Sequence, residues 1–160
     1  MAWAAGFRLG PTIPALAVDQ GRRTDAWTGW IGPGDPRSPR QPWLVNPADR
    51  GTDVALGNVT LYNVATRIDS ELGYWVHPDA QGRGLMAEAL RRVADWYFSP
   101  DGFGGRRLVI RTAAGNKAAR RVAESAGFRL RGLDRAAFAL GDKTVDDRAV
   151  YDLLLTDGQL

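Results

Sequence analysis

The 160-residue chain contains no cysteine. That absence excludes disulfides, thiolate metal sites and cysteine nucleophiles together. Histidine is almost as scarce. His77 stands alone, which removes histidine-based metal clusters and disfavours a Ser-His-Asp device. No metal is expected. No apolar run approaches the length of a membrane span, and the first twenty residues lack a charged-then-apolar signal pattern. The expectation is a cytoplasmic protein with no membrane partner. Lysine is limited to Lys117 and Lys143, so arginine supplies nearly all the positive charge behind a net +3. The arginines are scattered and form no aromatic-and-basic stripe, which argues against a nucleic-acid partner.

The remaining composition is that of a packed globular protein, 44% apolar and 24% charged. The length suits one core, so residues 1–160 are expected to form a single domain. Residues 1–50 are rich in Gly, Pro and Trp. Gly32-Pro33-Gly34-Asp35-Pro36 and Ser38-Pro39 mark a loop, and a broken helix is weakly suggested over 15–27. From Trp43 onward the pattern becomes regular. Strands are expected over 43–45 and 54–62 around a turn at 46–52, then over 70–76, 107–112, 136–140 and 145–155. The last two flank the turn Gly141-Asp142-Lys143. Helices are expected from Gly84 to about Phe98, with Met86, Leu90, Val93 and Tyr97 on one stripe, and from Asn116 to Gly127. Asn116 fits the N-cap of the second helix and Gly127 its terminator, with Ala119, Val122, Ala123 and Ala126 inward. Glu88 and Arg92 have the spacing of an exterior i,i+4 pair.

Between the strand at 70–76 and its helix lies Gln81-Gly82-Arg83-Gly84-Leu85-Met86. A glycine-rich turn opening a helix leaves backbone N–H groups unpaired at the positive pole of the helix dipole, which suits an anion. Gly82 and Gly84 remove side chains that would hold a phosphate away, and Arg83 adds a permanent charge. The turn is not a Walker loop, because Leu85-Met86 follow where Lys-Ser or Lys-Thr belong. Nor is it a dinucleotide fingerprint, since Ala87 stands where a third glycine is needed. On glycine spacing alone, a tight strand-to-helix turn and a phosphate site remain equally open.

The segment resembles the acetyl-CoA-binding signature [Q/R]-x-x-G-x-[G/A] of the GNAT acetyltransferases, with Gln81 and Gly84 in place and Met86 in the small-residue slot. Residues 71–98, 111–132 and 145–157 resemble three successive blocks of the branch that contains the ribosomal-protein N-terminal acetyltransferases and their bacterial relatives. Residues 1–41 carry no such match. The resemblance implies an α/β fold with a mixed, mostly antiparallel central sheet flanked by helices and a short atypical front. Family members usually open with a strand and two helices. The resemblance also implies acetyl-CoA as co-substrate, held by Gln81, Gly82, Arg83, Gly84, Leu85 and Met86, with Trp75-Val76-His77 lying along the pantetheine arm. Asn116 would reach the same arm. Arg120 belongs to a basic cluster with Arg106, Arg107, Arg111, Lys117 and Arg121 in the half that meets coenzyme A.

Amine acetyl transfer needs removal of a proton from the amine and a donor for the developing oxyanion. Glu71 is the expected general base and the Val76 N–H the expected donor, with Asp69 a weaker alternative base. The bland alternatives are a solvated carboxylate for Glu71, core packing for the side chains of Leu72, Tyr74 and Val76, and a structural turn for His77. Ala119 replaces the family's usual Ser, and no tyrosine occupies 116–126 as a general acid. Trp3, Trp27, Trp30 and Trp43 could line an acceptor pocket, cover a sheet edge or form a homodimer interface. Three readings stay open: an N-acetyltransferase acting on a peptide N-terminus or a small amine, a degenerate acyl-CoA binder, and a basic surface-binding module.

Overall fold

The computed structural model describes residues 27–31, 40–47, 56–63, 68–141 and 143–158. In β3 (Gly57–Tyr62), Val59 and Leu61 are buried while Asn58, Thr60 and Tyr62 are half-buried. This is the period-two alternation of a strand with one face on a core. β4 (Ser70–Val76) runs antiparallel to it, placing Leu72 opposite Leu61 and Tyr74 opposite Val59. β5 (Arg107–Ala113) brings Leu108 and Ile110 to the same core.

α1 (Leu85–Phe98) contains neither Gly nor Pro and is rich in strong helix formers. Its expected stripe of Met86, Leu90, Val93 and Tyr97 is buried in the core cluster. Ser99 ends it in an extended conformation, as the residue before Pro100 must. Glu88 takes the expected bond from Arg92 Nε at 2.8 Å and a second from Arg91 Nη2 at 2.9 Å. Although partial burial alone would raise its pKa, bonding and charge from the two arginines hold the Glu88 carboxyl below the usual glutamate range. Arg91 also donates to the Ser125 carbonyl at 2.7 Å, tying α1 to α2 (Lys117–Ser125).

The ends of α2 follow the sequence expectation. Asn116 Oδ1 accepts the Ala119 N–H at 3.0 Å. At the other end the Phe128 N–H bonds the Ala123 carbonyl and the Gly127 N–H bonds that of Glu124. This double closure requires the left-handed conformation that Gly127 adopts at φ +94°. Ala123 and Ala126 are buried, whereas Ala119 and Val122 are half-buried.

Among the described residues seven strands form one sheet. With β1 (Trp27–Ile31), β2 (Arg40–Pro47), β6 (Arg129–Ala139) and β7 (Val145–Leu154), its order is β1-β2-β3-β4-β5-β7-β6. β4 and β5 are parallel and connected through α1; the other neighbours are antiparallel. The mixed, mostly antiparallel α/β architecture is therefore as expected. Both helices pack on the face carrying Leu72, Ile110 and Tyr151. The alternation places Glu71, Arg111, Arg148 and Asp152 on the opposite face.

Several boundaries differ from the sequence reading. Trp27 opens a strand rather than closing a helix, and the rest of that expected helix lies outside the described residues, as does the loop at 32–39. The strand expected at 43–45 runs over Arg40–Pro47, so Asn46 and Pro47 belong to it and not to a turn. The next strand starts at Gly57, with 51–55 outside the described residues. The largest miss is β6, which begins at Arg129 rather than at Ala136. Its 129–135 half is exposed on both faces, so no apolar alternation announces it. A register shift between Asp134 and Phe138, with Ala136 at φ +50°, separates that half from the segment the pattern did reveal. No described helix is long and apolar enough to cross a membrane. Trp3 lies outside the described residues.

Gly105 is fixed by close approach. A methyl group there would sit 2.0 Å from Cζ of the fully buried Tyr97, whose hydroxyl donates to Ser70 Oγ at 3.1 Å. Gly105→Ala is therefore expected to lower stability by about 2–3 kcal/mol, the upper range for overpacking. A urea denaturation curve of the variant beside the parent checks this, and an unchanged midpoint would contradict the packing.

Candidate active site

The pairing of β4 with β5 is confined to Ser70 opposite Leu108 and Glu71 opposite Val109. Beyond those positions Leu72–Val76 keeps its ladder with β3 and Ile110–Ala113 keeps its ladder with β7, but neither meets the other. The sheet opens there as a V. His77 N–H bonds the Leu56 carbonyl at 2.7 Å. Since backbone groups alternate along an antiparallel ladder, those of Tyr74 and Val76 point into the gap. A buried backbone without partners is costly, so an opening of this kind calls for an extended ligand or for water.

A cavity of about 240 Å³ occupies the gap. Leu72 and Tyr74 line it from β4, Ile110 and Thr112 from β5, and Asn116 and Ala119 from α2. The Tyr74 ring packs against the core, as the bland reading has it, while its hydroxyl donates to the Ala119 carbonyl at 2.8 Å. Burial, and secondarily the neighbouring Tyr151, push the Tyr74 phenol well above its ordinary range, so it stays neutral at any physiological pH.

At the open end of β4 the chain enters the glycine turn. Pro78–Ala80 forms one 3₁₀ turn, capped by His77 Nδ1, which accepts the Asp79 N–H at 3.3 Å. Gln81 is extended and its N–H bonds the Pro78 carbonyl. Gly82 and Gly84 both adopt φ +73°, with open space where a Cβ would stand. The first helical bond runs from the Glu88 N–H to the Gly84 carbonyl at 3.1 Å, and Gly84 offers no side-chain cap. The N–H groups of Leu85, Met86 and Ala87 thus have no acceptor among the described residues. Leu85 and Met86 bury their side chains. Met86 is therefore tolerated in a small-residue slot, because its side chain enters the core and leaves only backbone at the turn. Gln81, Gly82, Arg83 and Gly84 are exposed. The turn fits a pyrophosphate: open space, free N–H groups, a helix pole and one arginine.

Asn116 spends its side-chain oxygen on the α2 cap and keeps its amide group free to face the cavity it lines. Arg120 is more engaged than the sequence suggested. Its Nε bonds the Tyr151 hydroxyl at 2.9 Å and its Nη1 the Ala114 carbonyl at 3.2 Å, so it also braces α2 against β5 and β7. Trp75 is exposed, on the face opposite Tyr74 and Val76. Glu71 sits at the closed end of the V and is ion-paired with Arg111. Asp69 instead faces Arg107 at 3.4 Å. Five residues of strand separate Glu71 from Val76, about 16 Å at 3.3 Å per residue. The Tyr74 N–H, directed into the same gap, is about 6–7 Å nearer. Arg111 and Tyr74 line the cavity although the sequence pointed elsewhere, Arg111 to a basic cluster facing coenzyme A and the Tyr74 side chain to core packing. Their only signal was position on the strands that splay.

The family model described as "Acetyltransferase (GNAT) domain" matches residues 11–129. It reaches into the front segment that the sequence motifs left unassigned. No curated protein matches the chain significantly. Among solved structures, the microcin C7 self-immunity acetyltransferase MccE, in complex with acetyl-CoA and AMP, superposes with a TM-score of 0.62 at 21% identity. The match covers 72% of this chain and 61% of that one. Spermidine/spermine N-acetyltransferase SpeG from Vibrio cholerae gives 0.65 at 18% identity, covering 77% and 69%. Mycobacterium smegmatis RimJ, in complex with CoA-disulfide, gives 0.62 at 24%, covering 72% and 53%. The chain therefore spans less than two thirds of MccE and of RimJ, and at these identities the likeness is one of fold. With a family model matched over most of its length and the sheet order and splayed strands in place, the chain belongs to the GNAT acetyltransferase family.

Proposed function

We propose that this protein is an acetyl-CoA-dependent N-acetyltransferase that moves an acetyl group directly to a primary amine. The observation that carries this reading is the joining of two features on one strand. β4, which lines the cavity of about 240 Å³, runs on into the glycine turn and the unpaired helix N-terminus at Gly84. In this reading the N–H groups of 85–87 with Arg83 hold the pyrophosphate, and the backbone of Val76 pairs with the pantetheine arm. Asn116 adds a donor from α2. The solved MccE and RimJ complexes, which contain acetyl-CoA and a CoA disulfide, are consistent with a ligand of this type.

The amine nitrogen attacks the acyl carbon, an N–C bond forms and the C–S bond breaks. Glu71 takes the amine proton, through water where its carboxylate does not reach, and the Tyr74 N–H meets the oxyanion. The departing thiolate needs a proton from solvent, because the Tyr74 phenol is held too weakly acidic to supply one. An α-amine, with a pKa near 8, is partly neutral at physiological pH and asks little of a base already facing an arginine. We therefore favour an α-amine acceptor, of a peptide N-terminus in the first instance, over a side-chain or polyamine nitrogen. Such an acceptor matches the sequence resemblance to the ribosomal-protein branch.

Two substitutions test the roles. Gly84→Val places a branched side chain where the phosphate would lie. Acetyl-CoA affinity should fall by more than tenfold, or about 1.4 kcal/mol, by calorimetry. Unaltered affinity with a retained fold ends the pyrophosphate assignment. Glu71→Gln should lower kcat by about 10²-fold with little change in acetyl-CoA affinity, measured as thiol release against an N-terminal peptide panel. A variant that keeps most of its activity removes Glu71 from the mechanism. Turnover of small amines alone rejects the peptide preference.

A further inference from the structure

A second cavity, of about 280 Å³, lies on the sheet face opposite the helices. It is lined by Arg111, Arg131, Gly132, Asp134, Arg148 and Val150. Arg111 borders this pocket and the β4–β5 cavity alike, and its ion-pair partner Glu71 stands beside it. The lining sets three guanidinium groups against one carboxylate. Arg148 is committed, donating Nε and Nη2 to Asp134 Oδ2 at 3.0 and 2.8 Å. Arg111 gives one nitrogen to Glu71. The Arg131 side chain makes no hydrogen bond among the described residues but is ion-paired with Asp152. Its Nε stands 3.5 Å from Asp152 Oδ2, which Arg107 already occupies at 3.2 Å, and its side chain is 62% exposed.

A guanidinium carries five N–H donors in a planar fork suited to carboxylate or phosphate. With Nε turned to Asp152, the two Nη groups of Arg131 remain for a ligand in the pocket it lines. We propose that this pocket binds the acceptor, and that the acceptor carries a carboxylate close to its amine, gripped by Arg131 while the amine reaches Glu71. This rests on the transferase reading above and names the substrate class within it. A free amino acid and a peptide with an acidic residue near its N-terminus present the same chemistry. A polyamine, cationic throughout, meets an arginine-rich wall.

The test uses the full chain with acetyl-CoA and four acceptors: L-glutamate, an Ala-Asp-initiated hexapeptide, alaninamide and spermidine. Thiol release should show a KM at least tenfold lower for one of the two carboxylate-bearing amines than for alaninamide or spermidine, and which of them leads identifies the source. Arg131→Ala should raise that KM by tenfold or more, with acetyl-CoA affinity by calorimetry unmoved, and Arg131→Lys should recover part of the loss. In parallel, the preferred carboxylate-bearing amine at millimolar concentration should raise the melting temperature of the CoA-saturated protein, and Arg131→Ala should abolish the shift. Preference for spermidine or alaninamide, or a preference untouched in Arg131→Ala, overturns the assignment while leaving the transferase standing. So does the absence of any shift with either carboxylate-bearing amine when CoA itself binds. Failure of the parent protein to bind acetyl-CoA would refute the underlying reading instead.

Discussion

Two residue pairs hold β4 to β5, and the sheet's usefulness depends on there being no more. Ser70–Leu108 and Glu71–Val109 fix the strands as neighbours, and past them the two diverge. Each strand can leave because its other edge is fully paired, β4 with β3 and β5 with β7. The unpaired backbone is thereby concentrated in one place instead of being spread along an edge, where it would invite aggregation. α1 crosses between these same strands and is anchored by Tyr97, whose hydroxyl reaches Ser70 at the closed end of the V. The anchoring residue and the last paired positions coincide, so the depth of the opening is set by core packing.

The two faces of the sheet divide the labour. The helical face is apolar and carries α1 and α2, which present a helix N-terminus and a capped asparagine toward the opening. The other face is held by ion pairs between adjacent strands: Glu71 with Arg111, Asp152 with Arg107, Asp134 with Arg148. At their degree of exposure such pairs add little stability. What they do provide is a fixed arrangement of charge beside the gap, with Arg131 sharing Asp152 with Arg107. Solved members of the family include a spermidine/spermine N-acetyltransferase and a microcin C7 self-immunity acetyltransferase, which share the fold of this chain at low sequence identity.

The front of the chain is short, as expected. β1 and β2 are an antiparallel pair, and only residues 32–39 lie between them. The family model nonetheless begins at residue 11. Family identity is thus carried by the central strands and the glycine turn more than by this connection.

What the sequence determined by itself was everything governed by short-range rules. The stripe of α1, the Asn116 cap, the Gly127 terminator, the Glu88–Arg92 pair and the left-handed glycines of the turn depend on neighbours within about four residues, and each was legible. Strand existence was legible where one face is buried, as in β3 and β4, and failed in the first half of β6, which is exposed on both faces and so shows no period. The tertiary structure alone decided what depends on contacts between distant strands. Whether β4 and β5 separate after two pairs, which residues border both cavities, and that Arg111 faces Glu71 across the sheet are matters of register and twist. No local pattern encodes these relations, because a side chain's partner across a sheet is set by the packing that brings the strands together.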